Sequence, residues 1–194
     1  MKREFREMLN QRGRNALPNV LLAAAECAPL SKTGGLADVS GSLPIYLKKF
    51  GVEAFVVIPK YRDIDFKDCY LENVLPTMCV RMGNGEEWCS VFKTVYNEVD
   101  FYFIEHHNFF SREGLYHDNV FNDYQDNAWR FGFFSIAFLL VRLSFSFSLN
   151  FLSITLLYVG NRLSGTVRLL RISAYLLCSS FADTFVPHPF TPHL

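Results

Sequence analysis

The sequence predicts an α/β fold, Rossmann-like, built on an open and mainly parallel sheet. Three observations carry that prediction. Residues 19–25 are a near-continuous apolar run, as a strand buried on both faces requires. Residues 36–50 follow with apolar side chains at three- and four-residue steps, the period of a helix lying on a sheet. Residues 53–59 are apolar again, and strand, helix, strand over this length is a βαβ unit with two parallel strands.

Residues 1–17 carry Lys2, Arg3, Arg6, Arg12 and Arg14 against Glu4 and Glu7. They lack the apolar middle of a secretory signal. They are also too acidic and too poor in serine for a clear plastid transit peptide, and read as a polar lead-in. The first strand then runs into Lys32-Thr33-Gly34-Gly35-Leu36-Ala37-Asp38-Val39. Two glycines at a strand-to-helix turn, with a lysine before them and an aspartate after, suit an anion. The first N–H groups of a helix have no intrahelical partner, and the dipole makes that end partly positive. Glycine admits a phosphate close to the backbone, and Lys32 adds a full charge. The spacing matches neither G-x-G-x-x-G nor G-x-x-x-x-G-K-[ST]. A plain tight turn with a solvated Lys32 fits the same residues. Asp38, in the first helical turn, either accepts hydrogen bonds from sugar hydroxyls or simply complements the dipole.

Leu36, Val39, Leu43, Leu47 and Phe50 are expected to face the sheet. Pro44 removes one backbone donor inside that helix, and Gly51 is placed to cap its end. In open parallel sheets ligands sit beyond the carboxyl ends of the strands, where the glycine turn falls.

Residues 61–68 read as a polar connection. Residues 70–81, 88–96 and 101–105 read as strands, with a hairpin turn over 95–100 between the last two. His106 and His107 follow without an acidic or cysteine partner at ligand spacing, so no metal is expected there. After a turn-rich loop, Asn122 or Asp123 is expected to cap a helix starting near Tyr124. On it Asp126 and Arg130, four apart, would pair.

The composition changes near residue 138. From Phe138 to Leu194 the charged residues are Arg142, Arg162, Arg168, Arg171 and Asp183 alone. Residues 143–161 are uncharged and long enough to span a bilayer, but Leu143, Phe145, Phe147, Leu149 and Phe151 alternate with polar residues, a strand period. The chain has 19 Lys and Arg against 19 Asp and Glu, a formal net charge of zero that argues against nucleic acid as a partner. Its 5 cysteines match no zinc pattern and read as reduced thiols.

Glu26-Cys27-Ala28-Pro29, the glycine stretch and Gly41-Ser42-Leu43-Pro44 together resemble the N-terminal signature of starch synthases and bacterial glycogen synthases. The resemblance continues through Val56-Val57-Ile58-Pro59-Lys60-Tyr61, Gly114-Leu115-Tyr116 and Tyr124-Gln125-Asp126-Asn127-Ala128-Trp129-Arg130-Phe131, and stops near Ala137. It implies the N-terminal half of a two-domain GT-B fold, incomplete here. It implies transfer of glucose from ADP-glucose to the non-reducing end of an α-1,4-glucan with retention, with no metal and no cofactor beyond the donor. Lys32, Gly34 and Gly35 would meet the donor's phosphates or glucose, and Asp38 its sugar side. Asp126 and Tyr96 would lie toward the acceptor.

The family's later His-Asp motif has no counterpart here, since His188 and His193 stand in unrelated contexts. No second domain is recognisable. The expected division is therefore a lead-in over 1–17, a partial catalytic domain over 18–137 and an atypical apolar tail over 138–194 that reads as non-family sequence. Such a chain would be an inactive fragment. The alternatives are a non-catalytic glucan- or nucleotide-binding module, a partner of a full-length synthase, or a protein tethered to a membrane through 143–161. The compartment would be the plastid in a plant or alga and the cytoplasm in a bacterium.

Overall fold

The structure, a computed structural model, describes residues 19–67 and 69–144 and the backbone of two later strands, Phe151–Leu157 and Arg171–Leu176. The lead-in, the alternating residues 145–150 and the Pro/His-rich end lie outside the described residues.

One sheet organises the chain. Its strands are β1 (Asn19–Ala24), β2 (Ala54–Pro59), β3 (Glu72–Met82), β4 (Gly85–Tyr96), β5 (Val99–Glu105), β6 (Phe151–Leu157) and β7 (Arg171–Leu176). Their order across the sheet is β3-β4-β5-β2-β1-β6-β7. The four central strands β5, β2, β1 and β6 are parallel. The β3–β4, β4–β5 and β6–β7 pairs are antiparallel. The open, mainly parallel centre is the predicted architecture, widened by an antiparallel hairpin at each end.

β1 is buried from Val20 onward and β2 nearly throughout, which is why both read as unbroken apolar runs. β4 and β5 are joined at Asn97-Glu98, both with positive φ (48° and 62°). That is the mirror-image two-residue turn whose twist matches a hairpin.

Helix α1 (Gly35–Lys49) joins β1 to β2 and packs on both. Its end is closed as expected. Gly51, at φ 79°, donates to Lys48 O and Val52 to Leu47 O, the paired bonds of a left-handed glycine cap. Its buried face differs from the expected one. Ala37, Ser40, Gly41 and Pro44 face the core, while Val39 is 52% exposed. The helix lies so close that a Cβ on Gly41 would sit 2.3 Å from Ala28 O. Small side chains at steps of three and four therefore set the contact, and the larger Leu36 and Ile45 pack beside it only partly buried.

Helix α2 (His107–Phe110) is a single turn after β5, and helix α3 (Asn127–Ser144) follows. α3 begins at Asn127, three residues later than expected. It runs unbroken through Ala137, where the composition changes, and buries Phe131, Phe133, Phe134, Phe138 and Val141. The compositional break is thus inside a helix. β6 follows and pairs with β1 from Asn19↔Phe151 to Ala24↔Leu156. Among the described residues no helix is long and apolar enough to cross a membrane. The stretch proposed as a span holds the last residues of α3 and all of β6.

Candidate functional site

Three loops leave the carboxyl edge of the sheet: the glycine turn after β1, the Lys60–Tyr61 turn after β2 and the long connection after β5. Their meeting place is built around two buried polar residues, Glu26 and Arg130.

Glu26, two residues past the end of β1, is 3% exposed. Its Oε2 accepts hydrogen bonds from Thr33 N at 2.6 Å, Thr33 Oγ1 at 2.8 Å and Gly34 N at 3.3 Å. A carboxylate thus holds the turn by its backbone donors, as an anion would. A second brace is the exchange between Cys27 and Ser31, each donating its N–H to the other's carbonyl at 2.9 Å. Sequence reasoning placed Glu26 in the signature but gave it no task. The signal was available, since an acid directly after a buried strand needs donors, and the next turn offers them.

The two glycines sit at the mouth. Gly34 is the residue before α1, with extended φ, and no side chain caps the helix. Gly35 opens the helix, and a Cβ there would meet nothing within 4 Å. Neither has a positive φ. Neither is glycine because the backbone demands it, so the simple tight-turn reading loses its reason. Gly35 leaves open space against the amino end of a fifteen-residue helix, while a Cβ on Gly34 would make only ordinary contact with Glu26 Oε1 at 4.0 Å.

Lys32 and Asp38 are also at this mouth, but joined to each other. Lys32 Nζ lies 2.6 Å and 2.8 Å from the two carboxylate oxygens of Asp38. Their side chains are 51% and 59% exposed, so the pair is a weak surface one.

The second cluster centres on Arg130, fully buried. Its guanidinium donates to Phe109 O at 2.7 Å, Asn127 Oδ1 at 2.7 Å and Leu115 O at 3.2 Å. Burial pulls its pKa below the ordinary arginine value. It does not pair with Asp126 as the four-residue spacing suggested. Asp126 stands before the helix, not within it, and is held two-pronged by Arg112 at 2.7 Å for each contact. The hydrogen bonds from Arg112 hold its carboxyl below the usual aspartate value. Tyr61 links the clusters. Its hydroxyl donates to Ala25 O at 2.7 Å and its ring stands edge-on to Phe110. Burial drives its pKa well up.

Lys32, Gly34, Gly35 and Asp38 are therefore together, and Asp126 is on the same edge of the sheet. Tyr96 is not. It ends β4 opposite Val99, at the amino edge, and packs on Phe101. Lys48, near the far end of α1, donates to Glu98 O of the same hairpin, which fixes Tyr96 beside the helix end remote from Gly35. His106 is structural. It is 6% exposed, stacked on Phe109 at 4.0 Å, with Nε2 3.0 Å from Glu87 Oε2. Among the described residues no three His, Cys, Asp or Glu side chains gather to hold a metal.

This chain matches the family model described as the starch synthase catalytic domain over residues 19–149. It is 41% identical over 116 residues to a glycogen synthase of Syntrophotalea carbinolica, covering 60% of this chain and 24% of that protein. It is 45% identical over 123 residues to glycogen synthase 1 of Geobacter sulfurreducens, covering 61% of this chain and 24% of that one. Its structure resembles the catalytic domain of starch synthase IV from Arabidopsis thaliana bound to ADP and acarbose, with a TM-score of 0.58 and 26% identity over 66% of this chain and 25% of that chain. The sheet is accordingly part of a GT-B glycosyltransferase fold, and the chain spans about a quarter of the length of the relatives it matches. The match runs twelve residues beyond Ala137 and takes in the whole of α3. The chain belongs to the starch synthase catalytic-domain family, the glucosyltransferases of the glycogen and starch synthase type.

Proposed function

We propose that the carboxyl-edge mouth is the donor half of a glucosyltransferase cleft. It would receive the diphosphate and glucose of ADP-glucose, for transfer to the non-reducing end of an α-1,4-glucan with retention. The observation that carries this reading is Gly35, a residue with no backbone reason to be glycine, at an uncapped helix end beside a lysine. Departure of a nucleoside diphosphate leaves negative charge on its phosphate oxygens, and catalysis needs fixed positive groups aimed at it. The helix amino end is one such group. Lys32 is a second once it exchanges Asp38 for phosphate. Asp38, so released, accepts hydrogen bonds from sugar hydroxyls. Glu26 keeps the turn rigid, so that little ordering is left to the moment of binding. Asp126, fixed by Arg112, faces the acceptor.

No cofactor beyond the donor enters this reading. The protein would work in the cytoplasm of a bacterium or the plastid of a plant or alga. GT-B clefts lie between two domains, and residues 19–149 would supply one wall of such a cleft. Isothermal titration with ADP tests the donor site. The expected result is ADP binding weakened about tenfold in Lys32→Ala, roughly the loss of one charge-assisted contact. ADP binding that ignores Lys32→Ala would overturn the reading.

A further inference from the structure

We propose that Phe121 is a stacking platform for the glucan, at the tip of the loop between β5 and α3. The inference rests on the glucosyltransferase reading above and adds a residue and a contact to it.

Phe121 has φ +64°. A bulky side chain in the left-handed region is a backbone outlier, and it persists only where the surroundings over-determine it. Here they do. Asp118 Oδ1 accepts Val120 N at 3.0 Å and Asn122 N at 2.8 Å, and its Oδ2 accepts Asn122 Nδ2 at 3.3 Å. Asp118 N donates to Asn122 O, and Phe121 N donates to Asp118 O. Beneath the tip, His117 and Asp123 form a bridge, and Tyr124 N donates to Tyr116 O. The base is tied to α3 by Asn127 Nδ2 on Tyr116 O at 2.7 Å.

This bracing ends in an outcome a loop gains nothing from by itself. Phe121 is 73% exposed and Val120 66%. The ring of His117 backs Phe121 at 5.0 Å, which supports one side of it. Asn119 and Asn122 flank it at the surface. An open aromatic face with amides beside it is the chemistry that takes a pyranose. The ring covers the apolar C–H face of the sugar, and amides bond hydroxyls at its rim. Position selects the carbohydrate. The tip rises from the carboxyl edge, on the connection that also carries Asp126, and that is where the acceptor would leave the cleft.

The test is an amide-shift titration of the full chain with maltoheptaose and, separately, with ADP. Wild type is compared with Phe121→Gly and Phe121→Trp. Glycine tolerates the positive φ, so Phe121→Gly keeps the loop and removes only the ring. Maltoheptaose is expected to shift Val120, Phe121 and Asn122. Its affinity should fall about tenfold in Phe121→Gly and stay within about threefold of wild type in Phe121→Trp. ADP binding should be the same in all three proteins. Maltoheptaose binding unchanged in Phe121→Gly, or absent from wild type, would overturn the platform while intact ADP binding left the donor reading standing. Shifts at Phe121 on adding ADP would overturn it too, by making the ring a base-stacking group. Loss of ADP binding from wild type would instead count against the donor reading.

Discussion

Single residues decide what the glycine turn is for. Gly35 and Gly41 are close in sequence and opposite in reason. Gly41→Ala should destabilise the domain by about 1–3 kcal/mol, because its Cβ would meet the backbone carbonyl of Ala28 at 2.3 Å, and backbone cannot swing aside. Gly35→Ala should leave the melting temperature nearly unchanged while weakening ADP, since only open space surrounds it. Thermal melts and ADP titrations on the two variants separate packing from binding. Glu26→Ala should loosen the turn, leaving the N–H groups of Thr33 and Gly34 without their acceptor.

Asp126 supplies a pH test at the same scale. Its carboxyl is held down by the Arg112 hydrogen bonds. A depressed folded-state pKa contributes stability that is present above the ordinary aspartate value of 3.8 and lost as pH falls through the lowered one. Both side chains are partly exposed, at 27% and 38%, so the amount is that of a surface pair, about 1 kcal/mol or less. In Arg112→Ala the Asp126 carboxyl should titrate higher, toward 3.8, as followed by its side-chain carbon shift. An unchanged titration would remove the pair from the account.

At the scale of elements, much of the molecule could be read from the chain. β1, the turn, α1, β2 and the β4–β5 hairpin fall where periodicity and turn residues put them, and Gly51 closes α1 as its position suggested. What periodicity misjudged was the face of α1. It counts large apolar side chains, whereas this helix meets the sheet through Ala37, Ser40, Gly41 and Pro44. The start of α3 was misplaced because Asn122 gives its backbone and side-chain N–H groups to Asp118 rather than capping a helix, and the chain turns once more, with Asn127 N donating to Tyr124 O, before α3 begins. That extra turn also sends Asp126 to Arg112 and leaves Arg130 to the carbonyls of Phe109 and Leu115. No spacing rule reports such a long-range choice. Arg130→Met should cost about 3 kcal/mol or more, because it strands buried carbonyls that the guanidinium now satisfies. Chemical denaturation measures it. A loss under 1 kcal/mol would mean water can take the arginine's place.

At the scale of the whole molecule, one sheet separates two edges. The carboxyl edge collects Lys32, Gly35, Asp38 and the Asp126 loop, and the amino edge holds Tyr96 and its hairpin. The chain order made the first grouping legible, since all those residues follow parallel strands. Tyr96 was placed toward the acceptor by the resemblance alone, and β4, running antiparallel, delivers it to the opposite end of the sheet. Burial across the same sheet protects its thiols. Cys27 and Cys89 are both pushed up to about 12 by burial. In the folded chain at pH 8, Cys69 and Cys79 should alkylate first, and Cys27 and Cys89 only on unfolding, as peptide mass mapping would show.

The most direct test of the donor site is an amide-shift map of the chain on adding ADP. Gly34, Gly35 and Leu36 should shift most, with the Lys32 side chain, while Tyr96, Asn97 and Glu98 stay still. Shifts centred on that hairpin, or none along the glycine turn, would contradict a donor site at the carboxyl edge.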